Sequence, residues 1–91
     1  MLVKTMAMGE GLSSAERAIA RYLLDNSSDL PLMTVGELAQ ATNVGKTTVV
    51  RMYHHLGCAT FQEFRDRFLR EMDDLKRVRA LASRVPLDAN T

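Results

Sequence analysis

From Ser13 onward the chain alternates short polar signals with apolar positions three and four residues apart, the spacing that gathers side chains on one face of an α-helix. Ser13-Ser14-Ala15-Glu16 has the form of a capping box, in which the Ser hydroxyl and the Glu carboxylate satisfy free amides at a helix start. The helix it predicts carries Ala15, Ile19, Tyr22 and Leu23 on one side and Arg17, Arg21 and Asp25 on others, and Asn26-Ser27-Ser28 stops it. A single turn of helix is expected over residues 29–32, around Pro31. Thr34-Val35-Gly36-Glu37 repeats the capping box ahead of Leu38 and Ala39, predicting a helix of barely two turns that ends near Ala41 or Thr42. Asn43 follows, a residue that tolerates the left-handed backbone of a sharp turn.

The next helix is expected from Lys46 to Leu56, with Gly45 as a permissive cap and Gly57 closing it in the left-handed conformation. Val49, Met52, Tyr53 and Leu56 share its core side, while Lys46, Thr47, Val50, Arg51 and His54 form a stripe that the core does not need. Thr60-Phe61-Gln62-Glu63 opens a long last helix whose Phe61, Phe64, Phe68, Met72 and Leu75 follow the same spacing. Val78 and Leu81 continue the pattern among Lys76, Arg77, Arg79 and Arg84 until Pro86 ends it. Residues 1–11 show no periodicity and contain Gly9 and Gly11, so they read as a flexible N-terminal arm.

Composition narrows this picture. At 91 residues, 46% hydrophobic and 25% charged, the chain has room for one core and none for a separate cofactor domain. Five per cent aromatics and no Trp argue against an all-β sandwich. The single Cys58 cannot form an internal disulfide, and neither a secretory signal nor a run of about 18 apolar residues is visible, so a cytoplasmic location without membrane insertion is expected.

The net charge of +1 hides an asymmetry: residues 1–45 hold three Lys/Arg against five Asp/Glu, and residues 46–91 hold nine against six. The window 38–62 contains Lys46, Arg51, His54 and His55 and no carboxylate, which suits it to face an anion. Two helices joined by Thr42-Asn43-Val44-Gly45, the second bearing the basic stripe, describe a helix-turn-helix. Ala39 is small where the helices would cross, Val44 plugs the core behind the turn, and the amides and dipole at the start of the second helix add positive potential beside Lys46, Thr47 and Thr48.

Leu12-Ser13-Ser14-Ala15-Glu16, the block Thr34-Val35-Gly36-Glu37-Leu38-Ala39, the run from Val44 to Arg51, Leu56-Gly57 and Phe61-Gln62-Glu63-Phe64 together resemble the N-terminal domain of RpiR-type bacterial transcription regulators, over about residues 12–75. The resemblance implies an all-helical DNA-binding domain that continues into a sugar isomerase (SIS) domain, through which a phosphorylated sugar would control operator binding. That domain is not among these residues, and residues 76–91 would be a helix extension and linker towards it. The chain departs from the family at Gly45, where a Ser usually stands, and Thr47 and Thr48 are the hydroxyls left to compensate.

Geometry assigns the expected roles. Arg51 is the candidate for bidentate contact with guanine, Lys46 and Thr48 are placed for phosphates, and Thr47, Val50 and His54 face the same groove, with Val50 able to meet a thymine methyl. Competing chemistry is weaker. Gly45-Lys46-Thr47 lacks the upstream Gly of a phosphate loop, since Gln40 stands there. His54, His55 and Cys58 lack zinc-like spacing, and Cys58 reads as a small buried or loop residue. The phenylalanine stripe has the period of a core face rather than a stacking platform. Arg65, Arg67, Arg70, Arg77 and Arg79, interleaved with Asp66, Glu71, Asp73 and Asp74, read as a solvated, self-paired surface.

The expectation is therefore an all-α, single-domain bundle of about five helices containing a helix-turn-helix at 12–75. It would bind double-stranded DNA as a homodimer on a palindromic operator, with no catalytic residue, cofactor or metal. Leu75, Val78 and Leu81 are candidates for the dimer contact. The rival reading is a protein-interaction or dimerisation module built on the last helix.

Overall fold

The two capping boxes start their helices as the residues dictate. In the computed structural model, which describes residues 1–84, Ser13 stands in extended backbone and its hydroxyl accepts from the Glu16 amide at 3.2 Å. The Glu16 carboxylate accepts from the Ser13 amide at 3.1 Å, and helix α2 runs Ser14–Asp25. A 3-10 helix over Ser27–Leu32 turns the chain around Pro31 and buries Leu30. Helices α3 (Val35–Thr42) and α4 (Lys46–His55) follow, and α5 extends over Phe61–Arg84. No strand occurs among the described residues.

The expected flexible arm is corrected. Leu2–Met8 form helix α1, and Leu2, Val3 and Met6 lie in the core. Their spacing, i, i+1 and i+4, is one helical face, but no local side chain caps it. The cap comes from α5, where the two Glu71 carboxylate oxygens accept from the amides of Leu2 (3.1 Å) and Val3 (2.8 Å). An anion at a helix N-terminus also meets the positive end of the helix dipole. Gly9, at φ 71°, then ends α1 in the left-handed conformation, where Arg17 packs so closely that a Cβ would come within 2.7 Å of its Cδ.

Ile19, Leu23, Leu30, Leu38, Val49, Met52, Phe64 and Phe68 are fully buried and, with Leu2, Val3 and Met6 of α1, join all six elements around one core, each large side chain contributing about 1.5–3 kcal/mol. Phe64 and Phe68 stack at 5.9 Å between centroids, and Tyr53 of α4 stacks on Phe64 at 6.4 Å, which fixes α4 against α5. Phe61 and Met72 are only partly buried. Past Met72 the described part of α5 is solvent-facing, and Leu75, Val78 and Leu81 are exposed by 38%, 62% and 56%.

The self-paired surface expected on α5 is also corrected. Among the described residues only Arg77 forms carboxylate pairs there, with Asp73 at 2.9 Å and Asp74 at 3.9 Å. Arg65 lies over the Phe61 ring at 5.7 Å, Arg67 donates to the Cys58 sulfur at 3.6 Å, and Glu71 is engaged with α1. Arg67 and Glu71 are drawn to groups outside α5 and Arg65 to a ring of its own helix, in place of the weak i, i+4 ion pairs that an isolated helix would form.

Candidate nucleic-acid interface

Thr34 and Glu37 close the second capping box, the amides and acceptors meeting at 2.9 and 3.1 Å, so α3 begins sharply. It ends as sharply. Asn43 takes the left-handed conformation (φ 59°, ψ 42°), its amide donates to the Gln40 carbonyl, and the Val44 amide reaches back to Ala39 at 2.9 Å. This pair of bonds is a Schellman closure, whose accompanying apolar contact is the half-buried Val44 packed against the core. The Thr42 hydroxyl donates to the Leu38 carbonyl at 2.7 Å, tying the last turn of α3 to its own backbone.

The second helix starts differently. Gly45 has the extended backbone of an N-cap (φ −80°, ψ 158°) but no side chain to accept from the helix amides. Its carbonyl takes the amides of Thr48 and Val49, so the first two amides of α4, those of Lys46 and Thr47, face outward without an intrahelical acceptor. Gly57, at φ 85°, closes the other end: its amide donates to His54 and the Cys58 amide to Tyr53, at 3.0 and 2.9 Å. Cys58 is buried behind this turn, and burial pushes its thiol above the usual range against the opposing pull of the Arg67 guanidinium.

Val49, Met52 and Tyr53 anchor the inner face of α4, and Lys46, Thr47, Arg51 and His54 are exposed on the outer face. Thr48 is half-buried at the edge of this face. Val50, expected wholly outside the core, is half-buried and packs partly against it, because it flanks α3 rather than standing at the crest. Lys46 does not project freely. A Cβ on Gly36 would lie 3.1 Å from its Cε and 3.6 Å from its Nζ, so its side chain crosses the first turn of α3 and sets the ammonium beside the starts of two helices. Arg51 makes no ion pair among the described residues. His54 is tied back, with Nε2 at 3.3 Å from the Ala59 carbonyl and its ring edge-on to Tyr53 at 4.9 Å.

One contact near this face was not legible in the sequence: His55 Nδ1 lies 2.9 Å from Oε1 of the buried Glu16, linking the last turn of α4 to the first of α2. The capping role of Glu16 was readable, but its meeting with α4 depends on tertiary packing. Among the described residues no three His, Cys, Asp or Glu side chains converge on a metal-sized site, and no helix is long and apolar enough to cross a membrane.

Comparison with known proteins agrees with this geometry. The family model described as a helix-turn-helix domain of the rpiR family matches residues 1–74, α1 included. A protein of Providencia stuartii named as an uncharacterized HTH-type transcriptional regulator in the aarA 3′ region is 32% identical over 73 residues. That match takes in 80% of this chain and 26% of the relative, so the chain spans about a quarter of the relative's length. No solved structure matches.

Proposed function

The chain belongs to the rpiR family of helix-turn-helix domains, and from that premise we propose that it is the operator-reading part of a bacterial transcription regulator, with α4 lying in the major groove of DNA. The observation that carries this reading is the exposed row Lys46, Thr47 and Arg51 on a helix whose N-terminal amides are uncapped, within a window of residues 38–62 that holds no carboxylate. Arg51, unpaired at the crest, is the base reader, suited to guanine N7 and O6, a contact contributing about 1–3 kcal/mol of discrimination. Lys46, held over α3, and Thr48 meet phosphates. Thr47 faces base edges, Val50 offers only the edge of its side chain to a thymine methyl, and His54, bound to the Ala59 carbonyl, plays the smallest part.

A single recognition helix reads few base pairs, so the working form is a homodimer on half-sites about 34 Å apart or a multiple of that. Leu75, Val78 and Leu81, exposed along α5, supply the contact between copies. Residues 76–91 lead on toward a sugar isomerase domain through which a phosphosugar effector acts in the cytoplasm; those beyond 84 lie outside the described structure. The same exposed stripe supports a second reading, an interaction module in which DNA plays no part.

Selection from random duplex DNA, at two salt concentrations and with Arg51→Ala alongside, separates the two. A palindromic motif should be enriched by the native chain and blurred by Arg51→Ala, while Lys46→Ala should weaken all sequences alike and reduce the salt slope by about 1. Folded protein that enriches nothing would favour the interaction module.

A further inference from the structure

Glu16 is a carboxylate buried to 3% exposure that pairs with no lysine or arginine among the described residues. Its Oε1 accepts from the Ser13 amide at 3.1 Å and lies 2.9 Å from His55 Nδ1. A carboxylate can only accept, so Nδ1 carries the proton and the ring is held in one orientation. His55 is half exposed, and Nε2 has no hydrogen-bond partner among the described residues. Nδ1 is thus committed to Glu16 and Nε2 is turned away from it. A second proton on the ring makes Nε2 a donor to an outside acceptor.

The position of His55 says what that acceptor is. At about 100° per residue, Thr48 and His55 (i, i+7) run down one flank of the outer face of α4, Lys46 and Val50 run down the other, and Arg51 stands near the crest between them. A helix seated in a major groove about 12 Å wide has a phosphate strand along each flank. Lys46 serves the α3 side. We infer that His55, oriented by buried Glu16, is a phosphate contact beside Thr48 on the opposite, α2-facing side, so that the domain grips both strands bordering the groove. The inference rests on the DNA-binding reading of α4 and adds a residue outside the basic stripe. Glu16 acts through His55 and is a positioning residue.

The test is fluorescence polarisation of the chain with a labelled mixed-sequence duplex at about pH 5.5, where an imidazole ordinarily carries both protons, across a series of salt concentrations, unfolding curves being recorded in parallel. His55→Ala should flatten the slope of log affinity against log salt by about 0.9, which is about eightfold weaker binding near 0.1 M salt. His55→Gln, which keeps a donor toward Glu16 but no cation, should lose the same slope. Glu16→Ala, which removes the acceptor that orients Nδ1, should do likewise, and the double variant Glu16→Ala with His55→Ala should lose nothing more. Native slope in either His55 variant overturns the inference and leaves the DNA reading intact. Additive losses in the double variant overturn the positioning role of Glu16. Absence of salt-dependent binding by the native chain overturns the DNA reading itself, and this inference with it.

Discussion

Helices α2 and α3 carry their own caps; α1 and α4 do not. Ser13 with Glu16, and Thr34 with Glu37, satisfy the first amides within three residues of chain. Helix α1 borrows its cap from Glu71, 68 and 69 positions away, and α4 begins at a bare glycine. The contrast separates helices whose ends are set by local chemistry from helices whose ends are set by the assembled fold or left open. Local caps bracket the scaffold that presents α4, a distant cap fastens α1 to the long helix behind it, and the uncapped end belongs to the helix proposed to meet phosphate. An N-terminus without its own acceptor is a ready anion site, so the missing cap and the proposed role are two sides of one feature.

Breaking the distant cap should have the largest effect. Glu71→Ala leaves the Leu2 and Val3 amides without their acceptor in partly buried surroundings, and hydrogen bonds to a charged group contribute about 1.5–3 kcal/mol. A drop of that size in unfolding free energy is expected in denaturant titrations. Amide exchange should also speed up selectively in α1, because its remaining anchorage is the burial of Leu2, Val3 and Met6. If α1 stays protected in Glu71→Ala, apolar packing alone holds it and the contrast between borrowed and local caps loses its force.

The local caps should follow at about 1 kcal/mol each. Ser13→Ala and Thr34→Ala remove hydroxyls that accept from Glu16 and Glu37 at 3.2 and 3.1 Å. Ser13→Gly should lose only a few tenths, since glycine keeps the extended cap backbone accessible. Urea midpoints for the three variants check this, and an equal loss for Gly and Ala would point away from the cap geometry.

The same contrast explains what could be read from the residues alone. The polar signals that open α2 and α3, the left-handed turn at Asn43 and the closing Gly57 are all local, so the helix-turn-helix and its outer row were legible as a pattern. Helix α1 was missed because Leu2-Val3-Lys4-Thr5-Met6 has no start signal of its own. The fate of Glu71 and Glu16 depends on which helices pack together, and so do the lie of Lys46 across Gly36 and the partial burial of Val50. Periodicity also cannot distinguish a stripe with a partner from one without: Phe64 and Phe68 share the spacing of Leu75, Val78 and Leu81, yet the first two are buried and the last three exposed.

The smallest effect, and the one that bears most directly on the uncapped helix, is expected at Gly45. Its backbone already has the dihedrals of an N-cap residue, its φ is negative, and a Cβ there would meet nothing within 4 Å. Gly45→Ser therefore introduces no clash and no strain. Its hydroxyl would accept from the Thr47 or Thr48 amide, and the unfolded chain would lose some of the freedom that glycine gives it. Together these should raise stability by a few tenths to about 1 kcal/mol, read as a higher urea midpoint at unchanged slope. A lower midpoint would mean that the open start of α4 is held by interactions that a hydroxyl disturbs. The predicted gain would instead show that this helix forgoes a cap its backbone is built to accept.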